Sequence, residues 1–236
     1  FCFTSISISL SGQSGQLRVG TACVDVSPTV TPFQLRSGKS SYVHDPLHVR
    51  AVAFESGEGR AVICLIDAIG IEREMSDIAK SKAAKKTGWK TEEMLICATH
   101  THSAPKGGTG MPGREAYEKL KHDKLEEAIV LAIERLQLAK IGFSSEEEPT
   151  EVRNRRWFLE PGNMPPNPLG EKDQVKTNAG RNHLVRSAGP IDPEICVIDV
   201  RNSRNKPLGL IANYALHYVG GVPKKVDENG REFGMA

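Results

Sequence analysis

The 236-residue sequence contains no uninterrupted apolar run near the ~18 residues that a membrane-spanning helix needs, so no such span is expected. It lacks a strong charge of either sign: 31 Lys and Arg stand against 29 Asp and Glu. That balance removes the general electrostatic argument for nucleic acid or an anionic membrane as partner. Five cysteines are too few and too irregularly spaced for a zinc knuckle or a disulfide scaffold. They read as free thiols, most of them buried in apolar strands. There is no internal repeat and no low-complexity tract. What remains is the composition of a soluble globular protein, with 39% hydrophobic and 25% charged residues.

The first fifteen residues, FCFTSISISLSGQSG, pass from a β-branched apolar segment into Gly, Ser and Gln. They fit either the tail of a signal peptide or a first strand. From there LRVGTACVDVSP (17–28) alternates and stops at Ser-Pro, which predicts a strand; 29–41 is rich in turn formers and predicts a surface loop. HVRAVAFESGEGRAVICLIDA (48–68) predicts a hairpin about the turn SGEG. IEREMSDIAKSKAAKKTG (71–88), with acids early, lysines late and a closing Gly, predicts a helix. EEMLICATH predicts a short buried strand, and the spacing of Leu120, Leu125, Ile129, Ile133 and Leu136 predicts a long amphipathic helix over 117–138. Residues 146–190 are rich in Pro, Gly, Asn and Arg with little periodicity, and a loop of that length is more often functional than idle. PEICVIDVRN (193–202) and PLGLIANYALH (207–217) then predict paired strands across SRNK. The expected fold is a single α/β domain, a mixed β-sheet with flanking helices, over 16–236.

Three apolar runs end on polar residues able to serve a metal: AVICLID at Asp67, MLICATH at His100 and LIANYALH at His217. Ligands of open α/β sheets bind outside the carboxyl ends of strands, so these three suggest one site. In an extended segment His100 and His102 would share a side, about 7 Å apart along the chain at ~3.3 Å per residue. Both could bind one zinc, one could bind while the other faces substrate, or both could be hydrogen-bonded residues at a strand end. The Asp-His continuation of metallo-β-lactamase-like sites is absent, since Ser103-Ala104 follows. Asp67 fits either an acceptor for a ligating imidazole or a cap for the next helix. Pro46 prevents His44 and His48 from forming a helical ligand pair, so HDPLH reads as a turn into a strand, and His122 reads as a solvated helix residue. In EVRNRRWF (151–158) an Arg could steady a substrate carbonyl or hydroxyl.

Taken in order, VGTACVDVSP, DPLHVRAVAFESGEGRAVICLIDAIGI, CATHTHSAPKGG, Asn154-Arg155 and ANYALHYVGG resemble the N-terminal part of the neutral/alkaline, non-lysosomal ceramidases. The resemblance extends from about residue 17 over nearly the whole chain. It implies zinc as cofactor, with His100 and His217 as ligands, His102 lining the active site beside the metal, and Arg155 helping to hold substrate. The reaction it implies is hydrolysis of the N-acyl amide bond of ceramide or a related lipid amide by a metal-activated water. The partner is thus a lipid or small-molecule amide, with no nucleic acid and no transmembrane segment, and the setting is secreted or periplasmic. The family's further ligands, a Glu and a Tyr, lie downstream of the second His, so the chain is expected to be the N-terminal part of a larger catalytic domain. Two departures stand out: Ala104 and Lys106 interrupt the family's His-Thr-His-Ser-Gly-Pro-Gly-Gly loop, and Asn154-Arg155 continues as Arg156-Trp157. The alternatives are a zinc hydrolase of the same fold acting on another amide or ester, and a secreted binding module without turnover.

Overall fold

A computed structural model describes residues 16–29, 33–35, 38–40, 43, 45–105, 113–180, 182–217, 225–226 and 232–233. The leader or first strand expected over 1–15, Cys2, His44 and the glycine loop with Lys106 lie outside the described residues. In chain order the elements are β1 (Arg18–Asp25), β2 (Phe33–Leu35), β3 (Gly38–Ser40), β4 (His48–Ser56), β5 (Gly59–Ile66), α1 (Arg73–Thr87), β6 (Met94–Ala98), α2 (Arg114–Glu134), β7 (Gln137–Glu147) and β8 (Arg156–Leu159). They continue as β9 (Lys176–Thr177), β10 (Leu184–Ser187), β11 (Glu194–Asn202), β12 (Pro207–Tyr214), β13 (Lys225–Val226) and β14 (Glu232–Phe233). A seven-stranded sheet has the order β12-β11-β7-β1-β4-β5-β6. It is mixed: β1 pairs antiparallel with β4 and β7, β4 pairs antiparallel with β5, and β5 pairs parallel with β6. The expected α/β class with a mixed sheet and helices is what the chain adopts.

Two compact units make up the chain, and each is described by itself. The first is Ser7–Gly142 with Asp199–Leu210 and Val219–Ala236. Here alternation along the strands sorts side chains between two faces. Val24, Val49, Ala51, Ala53, Val62, Cys64, Ile66, Met94 and Ile96 belong to one buried cluster with Met75, Ala79 and Ala83 of α1 and Leu125, Ala128, Ile129 and Ala132 of α2. At Gly20 the helix comes close to the strand, since a Cβ there would lie 2.0 Å from the Ala132 carbonyl oxygen. The β4–β5 hairpin turns at Gly57, whose φ is +58°. Helix α1 ends as its sequence indicates, with Gly88 left-handed and its N–H donating to the Ala84 carbonyl.

Two expectations for this unit are corrected. The loop over 29–41 contains the short antiparallel pair β2 and β3, with Phe33 buried. The second helix stops at Glu134 instead of reaching 138, and the chain turns at once into β7. Tertiary pairing explains the early stop: Gln137 and Leu138 are taken up by Val19 and Arg18 of β1, and the Arg18 guanidinium donates to the Leu136 carbonyl at 3.0 Å. His122, expected to be solvated, is half-buried, and its Nδ1 makes no hydrogen bond.

The second unit is drawn, among the described residues, from 143–198 and 211–217. The stretch read as a long loop is mostly irregular but contains a small three-stranded antiparallel sheet, β10-β8-β9, joined by side-chain brackets. Asn154 supplies three of these. Its Nδ2 donates to the Pro190 carbonyl at 2.8 Å, its Oδ1 accepts from the Arg156 N–H at 2.9 Å, and its own carbonyl accepts from the Trp157 indole at 2.8 Å. Gly189 leaves room for that amide, because a Cβ there would sit 2.9 Å from Asn154 Nδ2. Tyr214, at the end of β12, donates to the Glu148 carbonyl at 2.5 Å and ties down the approach to His217. No described helix is long and apolar enough to cross a membrane. The four described cysteines are free, but only Cys64 is fully buried and Cys23 is exposed.

Candidate functional site

Parallel pairing of β5 with β6 brings their carboxyl ends together, and with them the segments that carry Asp67 and His100. The chain beyond β6 stays fastened to β5: the Thr99 N–H donates to the Ile66 carbonyl at 3.0 Å, and the Thr101 N–H to the Ala68 carbonyl at 3.1 Å. The hydroxyls of Thr99 and Thr101 are 2.7 Å apart. His100 itself is not extended, as the sequence reading assumed, but left-handed with φ of +61°. Such a backbone is costly for a residue with a Cβ and concentrates at functional sites. The consequence is that His100 and His102 meet edge to face, with ring centroids 4.7 Å apart and planes at 86°. Nitrogen atoms of the two rings lie within 4.8 Å of each other.

His100 Nδ1 lies 2.7 Å from the Ile69 carbonyl oxygen. A carbonyl only accepts, so Nδ1 carries the proton and, in the neutral ring, Nε2 carries the lone pair. This is the arrangement a metal-ligating imidazole requires, with one nitrogen fixed by a backbone acceptor and the other presented as ligand. The donor chemistry at His100 therefore fits zinc. Ala104 is 2% exposed and packs in the core, so its methyl group is absorbed by packing. Among the described residues between β6 and α2, His100 and Gly113 are left-handed.

Asp67 takes neither role expected for it. Its Oδ2 accepts from the His48 N–H at 2.9 Å and from Arg50 Nη1 at 2.8 Å, bracing the start of β4. The N-cap of α1 is Glu72, without a side-chain cap. Burial, with the charges of Glu118, Asp67 and Asp25, holds the Tyr117 hydroxyl well above the ordinary tyrosine range, so it stays protonated.

In the second unit, Arg155 and His217, drawn from separate stretches of sequence, line one cavity of about 530 Å³. Its wall combines the apolar faces of Trp157, Leu184 and Leu216 with the polar groups of Asn178 and Arg153. Arg155 Nε donates to Asn178 Oδ1 at 2.8 Å. The sequence reading missed Asn178. Its only visible signal was the residue type, since Asn is among the few side chains that tolerate the φ of +53° found there.

No protein-family model matches the sequence, and no curated protein matches it. Among solved structures, a neutral ceramidase from Pseudomonas aeruginosa is similar over 85% of this chain, with a TM-score of 0.61 and 19% sequence identity. Over the matched residues this chain has the fold of part of a neutral ceramidase. A ceramidase complexed with C2 is similar over 84% of the chain, with a TM-score of 0.60 and 18% identity. The chain spans about a third of the length of these ceramidases, 32% of the first and 31% of the second.

Proposed function

We propose that the protein is a zinc-dependent hydrolase that cleaves the N-acyl amide bond of ceramide or a related lipid amide. His100 and His217 hold the metal, His102 handles a proton beside it, and Arg155 orients the substrate. The observation that carries this reading is the Nδ1 hydrogen bond of His100 to the Ile69 carbonyl, which prepares Nε2 as a ligand in a chain of ceramidase fold. When bound, zinc lowers the pKa of its coordinated water towards ~7 and polarises an acyl carbonyl. The protein's own groups supply the rest. His102, edge-on to His100, can accept or return a proton at a ring nitrogen. The Arg155 guanidinium donates N–H groups to a substrate oxygen, and the Trp157, Leu184 and Leu216 wall suits the hydrocarbon of a lipid.

The test combines metal analysis with release of fatty acid from ceramide in detergent micelles. Two His ligands alone hold zinc weakly, so the 236 residues by themselves are expected to lose it on dialysis, whereas the full-length protein is expected to keep about one zinc per chain at neutral pH, with activity lost to chelator and regained with zinc. His100→Ala and His217→Ala lose metal and activity together, whereas His102→Ala keeps the metal and loses roughly 10²- to 10⁴-fold in rate. A full-length protein that carries no zinc and hydrolyses nothing sinks the proposal. Zinc loss in His102→Ala equal to that in His100→Ala makes His102 a ligand instead. A second reading keeps the zinc chemistry with another amide or ester as substrate; chelator-sensitive cleavage of simple amides or esters, with ceramides untouched, selects it.

A further inference from the structure

We propose that Asn178 is a positioning residue that sets the plane of the Arg155 guanidinium in the cavity, an inference that rests on the role given to Arg155 above. Two hydrogen bonds join the pair. The Asn178 backbone N–H donates to the Arg155 carbonyl at 2.8 Å, and Arg155 Nε donates to Asn178 Oδ1 at 2.8 Å. One residue therefore holds both the main chain and the side chain of Arg155. Strand register explains how: β8 and β9 pair through Arg156 and Thr177, so the residues just outside that pair, 155 and 178, face each other where β9 ends.

The backbone at 178 limits which residue can do this. With φ of +53°, the position suits Gly, Asn or Asp and is strained for other side chains. Of the three, Gly offers no acceptor, whereas the side-chain oxygen of Asn, or of Asp in its place, can accept from Arg155 Nε at the end of the turn. With Nε held, rotation about the last bonds of the Arg side chain is restricted, so less order has to be imposed when a substrate oxygen binds.

Asn178→Gly separates this role from that of merely accommodating the turn, because Gly adopts the same φ and removes only the amide. On ceramide, Asn178→Gly is expected to raise KM about ten-fold or more at unchanged thermal stability, the order of loss that a misplaced orienting group brings. Asn178→Asp, which retains the acceptor, is expected to hold the Arg155 side chain as the wild type does and to restore most of the loss. In an Arg155→Ala background Asn178→Gly should add nothing. A readout independent of turnover is the Arg155 Nε–H resonance in a ¹H–¹⁵N spectrum, slow to exchange in the wild type and in Asn178→Asp, and lost to fast exchange in Asn178→Gly. A KM and an Nε–H signal unchanged by Asn178→Gly overturn the inference, as does Asn178→Asp behaving like Asn178→Gly in both measurements. If Arg155→Ala leaves ceramide hydrolysis intact while the Nε–H signal still depends on Asn178, the clamp stands and the substrate role of Arg155 falls.

Discussion

At His100 one residue combines strain with chemistry. A left-handed backbone costs a Cβ-bearing residue about 1–2 kcal/mol, and here that cost is borne by the imidazole aimed by the Ile69 carbonyl. The strain can be measured by comparing two variants that both lack the ring. His100→Ala keeps the Cβ clash and His100→Gly removes it. Gly also gives the unfolded chain more freedom, which offsets about 0.4–1 kcal/mol of the relief. His100→Gly should therefore be more stable than His100→Ala by about 0.5–1 kcal/mol in urea denaturation. Equal stability of the two would show that the loop relaxes and stores no strain. The closeness of His100 and His102 was legible in the sequence, because two imidazoles two residues apart at the end of an apolar run have little room to separate. It missed how they converge, because a period-two argument presumes an extended chain and nothing in His-Thr-His announces a left-handed residue.

Among the elements, the strands of the first unit were legible wherever one face alone is buried: Val24, Val49, Ala51, Val62, Cys64 and Ile66 alternate with residues outside the core cluster. The boundary between α2 and β7 was not legible, because Leu136 continues the helical spacing while Arg18 and Val19 of β1 claim the backbone. Strands β8, β9 and β10 are two to four residues long, too short to show a period, and rely on the amide of Asn154 and the indole of Trp157. The seat of α2 on β1 makes its own prediction. Gly20→Ala drives a methyl group to 2.0 Å from the Ala132 carbonyl oxygen and 2.8 Å from Arg135, both backbone atoms of the helix and its end. The helix must lift from the sheet, so a loss of about 3 kcal/mol is expected, the upper part of the usual range for overpacking. Gly142→Ala is the control: a Cβ there meets nothing within 4 Å, and stability should stay within about 0.5 kcal/mol of wild type. A Gly20→Ala protein as stable as the control would mean that the helix is not held against β1 at this point.

For the whole molecule, charge is nearly balanced, so pH acts on stability mainly through individual groups whose ionisation the fold resists or favours. On the acid side, the Ser27 N–H donates to Asp25 Oδ1, and with the Ser27 hydroxyl it lowers the Asp25 pKa below its ordinary 3.8. The native state then binds fewer protons than the unfolded chain, so this contribution is present above pH 3.8 and is lost as pH falls through the lower native value. On the alkaline side the sign reverses. Burial, with Cys97 close by, pushes the Cys64 thiol from 9.0 up to about 12, and burial likewise raises Tyr117 above 10.0. Between pH 9 and 12 the unfolded chain gives up the Cys64 proton that the native chain keeps, so stability present below pH 9 declines as pH rises. Urea denaturation from pH 3 to pH 10.5 should therefore trace a plateau with a falling limb at each end. Asp25→Asn should make the acid limb shallower and Cys64→Ala the alkaline one, with Asp123 and Glu148, also held below their ordinary values, and Cys97 and Cys196, held above theirs, supplying the rest. The slope against pH is the decisive quantity, because Cys64→Ala also removes core packing and lowers the whole curve without changing its shape. An alkaline limb as steep in Cys64→Ala as in the wild type would show that the Cys64 thiol does not carry it.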